Sequence, residues 1–262
     1  MPDSTTADWA ALLTQPERAR TAGVFVAEGR IVLARTLACL GPGAILHALA
    51  TPAAAAALRL EATLGNRLVV VSPAEMQAVT GFNFHRGVLA VVRRPPSRTA
   101  RDVVLAATGA GRRPVFVAAE HLVDVDNVGG CFRNAHAFGA AGVLLDDRCP
   151  DPLYRKAIRT SLGAVLQVPW AQAPMAEVLA VLAGEGVHAI ALMPAAPATL
   201  AEVLAERAGS GALAVVVGNE GAGLSEATLA ACSSRASIPM ATGADSVNVA
   251  TAVAIALYEI AR

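Results

Sequence analysis

No uninterrupted apolar run of about 18 residues, the length a membrane helix needs, occurs in this chain, although 55% of it is hydrophobic. Much of that content is alanine, and the most apolar stretches are broken by Pro42, Pro52, His188, Pro194 and Pro197. The first thirty residues carry Asp3, Asp8, Glu17, Arg18 and Arg20 in place of the apolar centre of a secretory leader, so a cytoplasmic protein is expected. Cys-x-x-Cys is missing too. Cys39, Cys131, Cys149 and Cys232 are isolated, and no histidine cluster stands at ligand spacing, which points to neither a zinc site nor a redox pair. Buried thiols are the expected state, with Cys131 a small packed side chain.

Net charge is absent as well, but its distribution is uneven. Residues 1–101 contain eleven arginines and six acids, whereas residues 102–262 contain ten bases and fifteen acids. Such a split assigns polyanion attraction to the N-terminal part and small-molecule chemistry to the rest. Arginines that merely solubilise an alanine-rich surface are the alternative.

A chain of 262 residues can hold two modest cores. Val24-Phe-Val26 reads as a strand leading into Glu28-Gly29 and an amphipathic helix over 30–40. An alanine-rich helix over 53–64, a strand over 68–71, a short helix after Ser72-Pro73 and a strand over 87–92 complete a small α/β domain, 1–94. The run Arg93-Arg-Pro-Pro-Ser-Arg-Thr-Ala-Arg101 then punctuates the chain. Pro95-Pro96 cannot continue a central strand, and Arg93, Arg94, Arg98 and Arg101 are candidate phosphate contacts. A linker is expected over 95–112; it includes Gly109-Ala-Gly111, which precedes a strand where a dinucleotide fingerprint would follow one. From Val115 onward, strands at 115–118, 142–145, 165–168, 187–192 and 214–217 alternate with helices, the pattern of a mostly parallel sheet covered on both faces. The last helix, 247–261, is apolar on most sides and is expected to be buried.

Three stretches carry chemistry. In Leu213-Ala-Val-Val-Val-Gly-Asn-Glu-Gly-Ala-Gly-Leu224, a buried strand runs into glycines that accept positive φ and let a ligand approach the main chain. Within it, Glu220 needs a partner from Asn127, Arg133 or loop amides. In Asn127-Val-Gly-Gly-Cys-Phe-Arg133-Asn-Ala-His-Ala-Phe-Gly139, Asn127 stands at a strand-to-helix junction as a candidate cap whose amide can also orient Arg133. Ile238-Pro-Met240 and Ser246-Val-Asn248 precede the terminal helix, with Ser246 and Asn248 as cap candidates.

In this order the motifs resemble the SpoU (TrmH-like) branch of the SPOUT methyltransferases. Val247 departs from the Leu usual there. Phe25-Val-Ala-Glu-Gly29 and Phe84-His-Arg-Gly-Val-Leu-Ala90 resemble the substrate-recognition domain many such enzymes carry first, similar to a ribosomal RNA-binding α/β fold. The resemblance implies a SPOUT-type parallel sheet with a C-terminal trefoil knot in a catalytic domain over 113–262. It further implies S-adenosyl-L-methionine as cofactor, methyl transfer to a ribose 2′-hydroxyl in RNA, ribosomal RNA ahead of tRNA, and a homodimer through the catalytic domain. Asn127, Arg133, Glu220, Ser246 and Asn248 become catalytic-site residues on this reading. Gly218, Asn219, Gly223, Ile238, Met240 and Val247 become cofactor contacts. An arginine with its ordinary pKa above about 12 is a poor base, so fixing phosphate and ribose is the role expected of Arg133. The rivals are a catalytically silent knotted RNA-binding protein and an enzyme acting on a base nitrogen.

Overall fold

The computed structural model describes residues 9, 11–81, 84–107, 113–207 and 211–262; the Gly109-Ala-Gly111 turn lies outside them. The chain divides into two compact units, Met1–Pro96 with Leu153–Leu166, and Ser97–Pro152 with Gln167–Arg262.

The first unit is built on strands β1 (Val24–Glu28), β2 (Ile45–Ala50), β3 (Leu68–Val70) and β4 (Val88–Arg93), arranged β1-β4-β2-β3. β4 is antiparallel to both neighbours and β2 is parallel to β3. Strand β2 is not legible in the sequence, because His47 and two small alanines hide its apolar side, yet Ile45, Ala48 and Ala50 are buried. Helices α1 (Pro16–Thr21), α2 (Arg30–Leu40), α3 (Pro52–Ala57), α4 (Leu60–Leu64) and α5 (Pro73–Thr80) accompany the sheet. The single helix expected over 53–64 is two, broken at Arg59, which takes the left-handed φ of 50°.

Helix α6 (Ala100–Ala107) occupies much of the stretch read as a linker. Thr99 and Asp102 cap it reciprocally, Thr99 N donating to Asp102 Oδ2 at 2.9 Å and Asp102 N to Thr99 Oγ1 at 3.1 Å. Val103 and Val104 are fully buried in the core of the second unit. The Pro-Pro pair and the arginines masked that capping signal.

The second unit carries a seven-stranded, all-parallel sheet. Its strands are β5 (Val115–Ala119), β6 (Gly142–Asp146), β7 (Trp170–Ala173), β8 (His188–Met193), β9 (Ala198–Thr199), β10 (Leu213–Val217) and β11 (Ser234–Ser237), in the order β7-β6-β5-β10-β8-β11-β9. The strand expected over 165–168 is a 3₁₀ turn, Ala164–Leu166, and the ladder begins only after Pro169, which has no N–H to offer it. β11 escaped notice because Ser-Arg-Ala-Ser has a single apolar residue.

Helices α7 (Val125–Ala137), α8 (Arg155–Thr160), α9 (Met175–Gly184), α10 (Leu200–Glu206), α11 (Glu226–Ala231) and α12 (Val249–Ala261) follow. α8, expected in the alternating sheet, belongs to the first unit. The reason is electrostatic: Arg155 reaches the buried Glu28 carboxylate at 2.9 Å and donates to Leu13 O at 2.8 Å. Gly130 lets α7 and α12 approach closely, since a Cβ there would lie 2.7 Å from Ala250 Cβ. Asn134 Nδ2 seals that seam by donating to Ala250 O at 2.6 Å. The terminal helix is only partly buried: Val253, Ala256 and Leu257 face inward while Ile255 and Tyr258 are exposed. Among the described residues no helix is long and apolar enough to cross a membrane.

Candidate functional site

Each motif loop of the second unit leaves the C-terminal end of a parallel strand, the end at which open α/β sheets present ligands. β5 leads into 120–124, β10 into 218–224 and β11 into 238–248.

The glycine loop is closed on itself. Asn219 and Gly223 exchange main-chain hydrogen bonds of 3.0 and 2.9 Å. Asn219 Oδ1 accepts from the amides of Gly221 and Ala222, each at 2.8 Å, and Asn219 Nδ2 donates to His121 O at 2.9 Å. The Asn219 side chain is thus committed to shaping the loop. Of the three glycines first valued for positive φ, only Gly223 has one, 71°. Gly218 is needed for space: a Cβ there would collide with the Gly223 carbonyl and stand 2.6 Å from Leu224 N.

Asp124, not Asn127, caps α7, its Oδ1 accepting from Asp126 N at 2.9 Å. Asn127 lies in the first turn of the helix and is buried, because its amide is used elsewhere. Asn127 Nδ2 donates to Glu220 Oε1 at 2.8 Å, and Asn127 Oδ1 accepts from Asn248 Nδ2 at 2.8 Å. Asn248 is the cap of α12, accepting from Ala250 N at 2.9 Å and Thr251 N at 3.3 Å, so that helix starts at Val249 rather than Val247. A continuous chain Glu220–Asn127–Asn248 therefore joins three motifs, Asn127 lying 93 and 121 residues from its two partners.

Glu220 also accepts from Val123 N and Asp124 N, both at 3.2 Å. Burial alone would raise its carboxyl; the bonds from Asn127 and the main-chain amides outweigh burial and hold it below its ordinary value. Beside this chain opens a cavity of about 640 Å³, lined by residues 218–224, by Leu192, Ile238, Met240, Val247 and Ala252, and by Ser246 and Asn248.

Arg133 is exposed on α7 and Ser246 in its loop, and neither makes a hydrogen bond or ion pair with any described residue. Of the partners open to Glu220, Asn127 and main-chain amides are taken and Arg133 is not. Of the four arginines read as phosphate contacts, Arg93 and Arg94 lie in the first unit, and Arg98 and Arg101 in the second. Arg101 is ion-paired with Glu185 at 3.2 Å. Cys131 is fully buried, and burial first, then the neighbouring Cys149 and Glu220, pushes its thiol up to about 12; it is packed, as expected.

Two carboxylates have structural roles that the sequence reading does not assign. Glu120, 4% exposed, directly follows β5 and accepts from Ser225 N at 2.9 Å, Ser225 Oγ at 2.8 Å and Thr228 Oγ1 at 2.9 Å, pinning the far end of the glycine loop. Glu28, 3% exposed, pairs with Arg86 at 2.8 Å and so clasps the two N-terminal stretches together. A charge terminating an apolar strand was the available signal in both cases.

The description that matches residues 114–258, more than half the chain, is that of the SpoU rRNA methylase family. An uncharacterized tRNA/rRNA methyltransferase of Mycobacterium bovis is 38% identical over 188 residues, 71% of this chain and 63% of its own. The matched segment thus spans under two thirds of that relative. A structure of an AdoMet-bound rRNA methyltransferase from Sinorhizobium meliloti superposes with a TM-score of 0.82 at 25% identity, over 98% of this chain and 94% of that one. An RNA 2′-O ribose methyltransferase structure gives a TM-score of 0.76 at 26% identity, over 99% and 95%. With its motif loops gathered at one end of a parallel sheet, this chain belongs to the SpoU rRNA methylase family.

Proposed function

We propose that this chain is an S-adenosyl-L-methionine-dependent RNA methyltransferase acting on a ribose 2′-hydroxyl, with ribosomal RNA as its substrate. The carrying observation is the Glu220–Asn127–Asn248 chain beside the cavity, in which loops remote in sequence meet at one mouth. The residues fit the cofactor. About 640 Å³ lies within the range of small-molecule sites, Leu192, Ile238 and Met240 offer an apolar wall to an adenine, and the glycine loop offers bare main chain. The bound cofactor supplies an electrophilic methyl group.

The chain's own residues do the positioning. Asn127 and Asn248 are committed to each other, so they hold the wall against which the ribose rests. Glu220, kept below its ordinary value, is a weak proton acceptor and acts as the anchor of that wall. Ser246 and Arg133 keep free polar groups, the hydroxyl for the ribose and the guanidinium for a phosphate, which it can grip through two N–H groups. Orientation of this kind is worth several kcal/mol without a strong base.

The first unit is the RNA-binding domain in this reading. Its segment Leu153–Leu166 adds Arg155, Lys156 and Arg159 and no acid, which steepens the charge asymmetry. The same reading includes a trefoil knot, supported by the insertion of β10 between β5 and β8 and the return of α12 onto α7 and β10. It includes a homodimer through the catalytic unit, supported by exposed Val123, Ile255 and Tyr258, and a cytoplasmic location. The test uses tritiated cofactor with ribosomal RNA and tRNA offered separately, followed by alkaline hydrolysis. Label in alkali-resistant dinucleotides of ribosomal RNA is the expected result. Label in alkali-labile mononucleotides, or no transfer to either RNA, overturns the ribose reading; label in tRNA alone overturns the choice of RNA.

A further inference from the structure

The cavity is lined by three carboxylates, Glu220, Glu226 and Asp245, and by no lysine, arginine or histidine among the described residues. Glu220 is occupied by Asn127 and two amides. Glu226 and Asp245 are exposed and make no hydrogen bond or ion pair with any described residue. Glu226 opens α11, where an acid also favours the helix end. That explanation does not extend to Asp245, which lies in the loop before α12 and belongs to no helix. One acid at the start of α11 and one in the loop before α12, spent on no structural bond, therefore line one cavity.

We infer that Glu226 and Asp245 read the charge of the cavity's ligand: they retain cationic S-adenosyl-L-methionine and release neutral S-adenosyl-L-homocysteine. The inference rests on the cofactor reading of this cavity. At neutral pH the cofactor carries a sulfonium, an ammonium and a carboxylate, for a net single positive charge. When the methyl passes to a hydroxyl oxygen, the electron pair of the S–C bond stays on sulfur and the hydroxyl proton leaves to solvent. The product is a thioether with no net charge. Shape barely distinguishes the two molecules, since they differ by one methyl, whereas the field of two carboxylates does. Each such screened charge changes the affinity of a cation by roughly threefold, so the pair acts by about tenfold.

The experiment is isothermal titration of the full chain with three probes: the cofactor, its demethylated product, and an analogue in which an amine replaces the sulfonium and keeps the charge. The proteins are the parent, Glu226→Gln, Asp245→Asn and the double variant, with circular dichroism confirming the fold of each. In the double variant the cofactor and the amine analogue should bind about tenfold more weakly while the product stays within twofold. In the parent, added salt should erode the first two affinities and spare the third. An equal loss for product and cofactor, or no loss for either, overturns the charge reading while leaving the cavity as the cofactor site. A parent that binds none of the probes, or a Gly218→Ala variant that binds all of them unchanged, overturns the site itself and this inference with it. Should the double variant not fold, the single variants decide by the same ratios at about threefold.

Discussion

Adding one methyl group at Gly218 is the smallest change that tests whether the 218–223 loop shapes the cavity. In Gly218→Ala the new Cβ meets the carbonyl of Gly223 and the amide of Leu224 at 2.6 Å. Those are main-chain atoms and cannot swing aside as a flexible side chain would. The loop must open, which breaks the two bonds between Asn219 and Gly223. Each is worth about 1 kcal/mol net, and forcing an extra carbon into a tight contact costs about 1 to 3 kcal/mol more. A total of about 3 to 5 kcal/mol, recovered when the cofactor rebuilds the closed loop, corresponds to a loss of cofactor affinity of roughly a hundredfold or more, at 1.4 kcal/mol per tenfold. The same interactions are lost from the unliganded fold, so the melting temperature should fall too, by about 2 to 4 °C per kcal/mol in a domain of this size, or roughly 6 to 20 °C. Titration calorimetry and a thermal melt on parent and variant measure both quantities. Affinity within twofold of the parent would refute the argument, since it would mean that the loop is an ordinary turn.

Other expectations follow from the same geometry. Arg133→Ala should abolish methyl transfer and leave cofactor affinity within about tenfold, because Arg133 stands apart from the cavity lining; a tritium-methyl assay with calorimetry checks it, and retained turnover refutes the role. Replacing Arg93, Arg94, Arg98 and Arg101 by Ser should weaken RNA binding and flatten its salt slope by up to about 0.9 per lost phosphate contact. Arg101 should give the least of the four, being paired with Glu185; anisotropy across a salt series reads the slope. Sedimentation of the full chain at micromolar concentration should give twice the monomer mass, and Ile255→Asp with Tyr258→Asp should return it to one. For Glu220 the folded carboxyl lies below its ordinary value, so its stabilising effect is complete above the unfolded pKa of about 4.3 and fades as pH falls through the lower folded value. The stability gap between parent and Glu220→Gln, from urea unfolding, should therefore be flat near neutrality and shrink only in acid; a gap that closes as pH rises contradicts the sign.

The parallel sheet was legible because its inner strands are continuous apolar runs. Val115–Ala119 and Leu213–Val217 announce themselves, whereas Ser234–Ser237 does not, since a two-sided polar strand of four residues is indistinguishable from a loop until its neighbours are known. Helix α8 shows the other limit. Its sequence fits the alternation of the second unit, but its packing is decided by Arg155 and by Glu28, which lies 127 residues away, and no local pattern encodes that pairing. Positions of the motifs were readable, while their division of labour was not. Asn127 looks like a cap because asparagine often is one, yet Asp124 three residues earlier has the same ability and sits where the helix begins.

That displacement has a consequence for how the site works. With Asp124 taking the cap, the Asn127 side chain is freed to turn inward, and once inward it must satisfy both ends of its amide. Glu220 takes the N–H and Asn248 supplies the other donor. Burial thus obliges Asn127 to bridge two loops, and the bridge in turn fixes where the caps of α7 and α12 stand relative to the glycine loop. A substitution that keeps only one end, such as Asn127→Asp, would place a second carboxylate against Glu220 and repel it, even though the new side chain still accepts from Asn248. The loss there would come from the position of the loop rather than from any contact with substrate, and it would appear in cofactor affinity. Arg133→Ala should spare that quantity, so the pair of variants separates the wall of the site from the groups that grip the RNA.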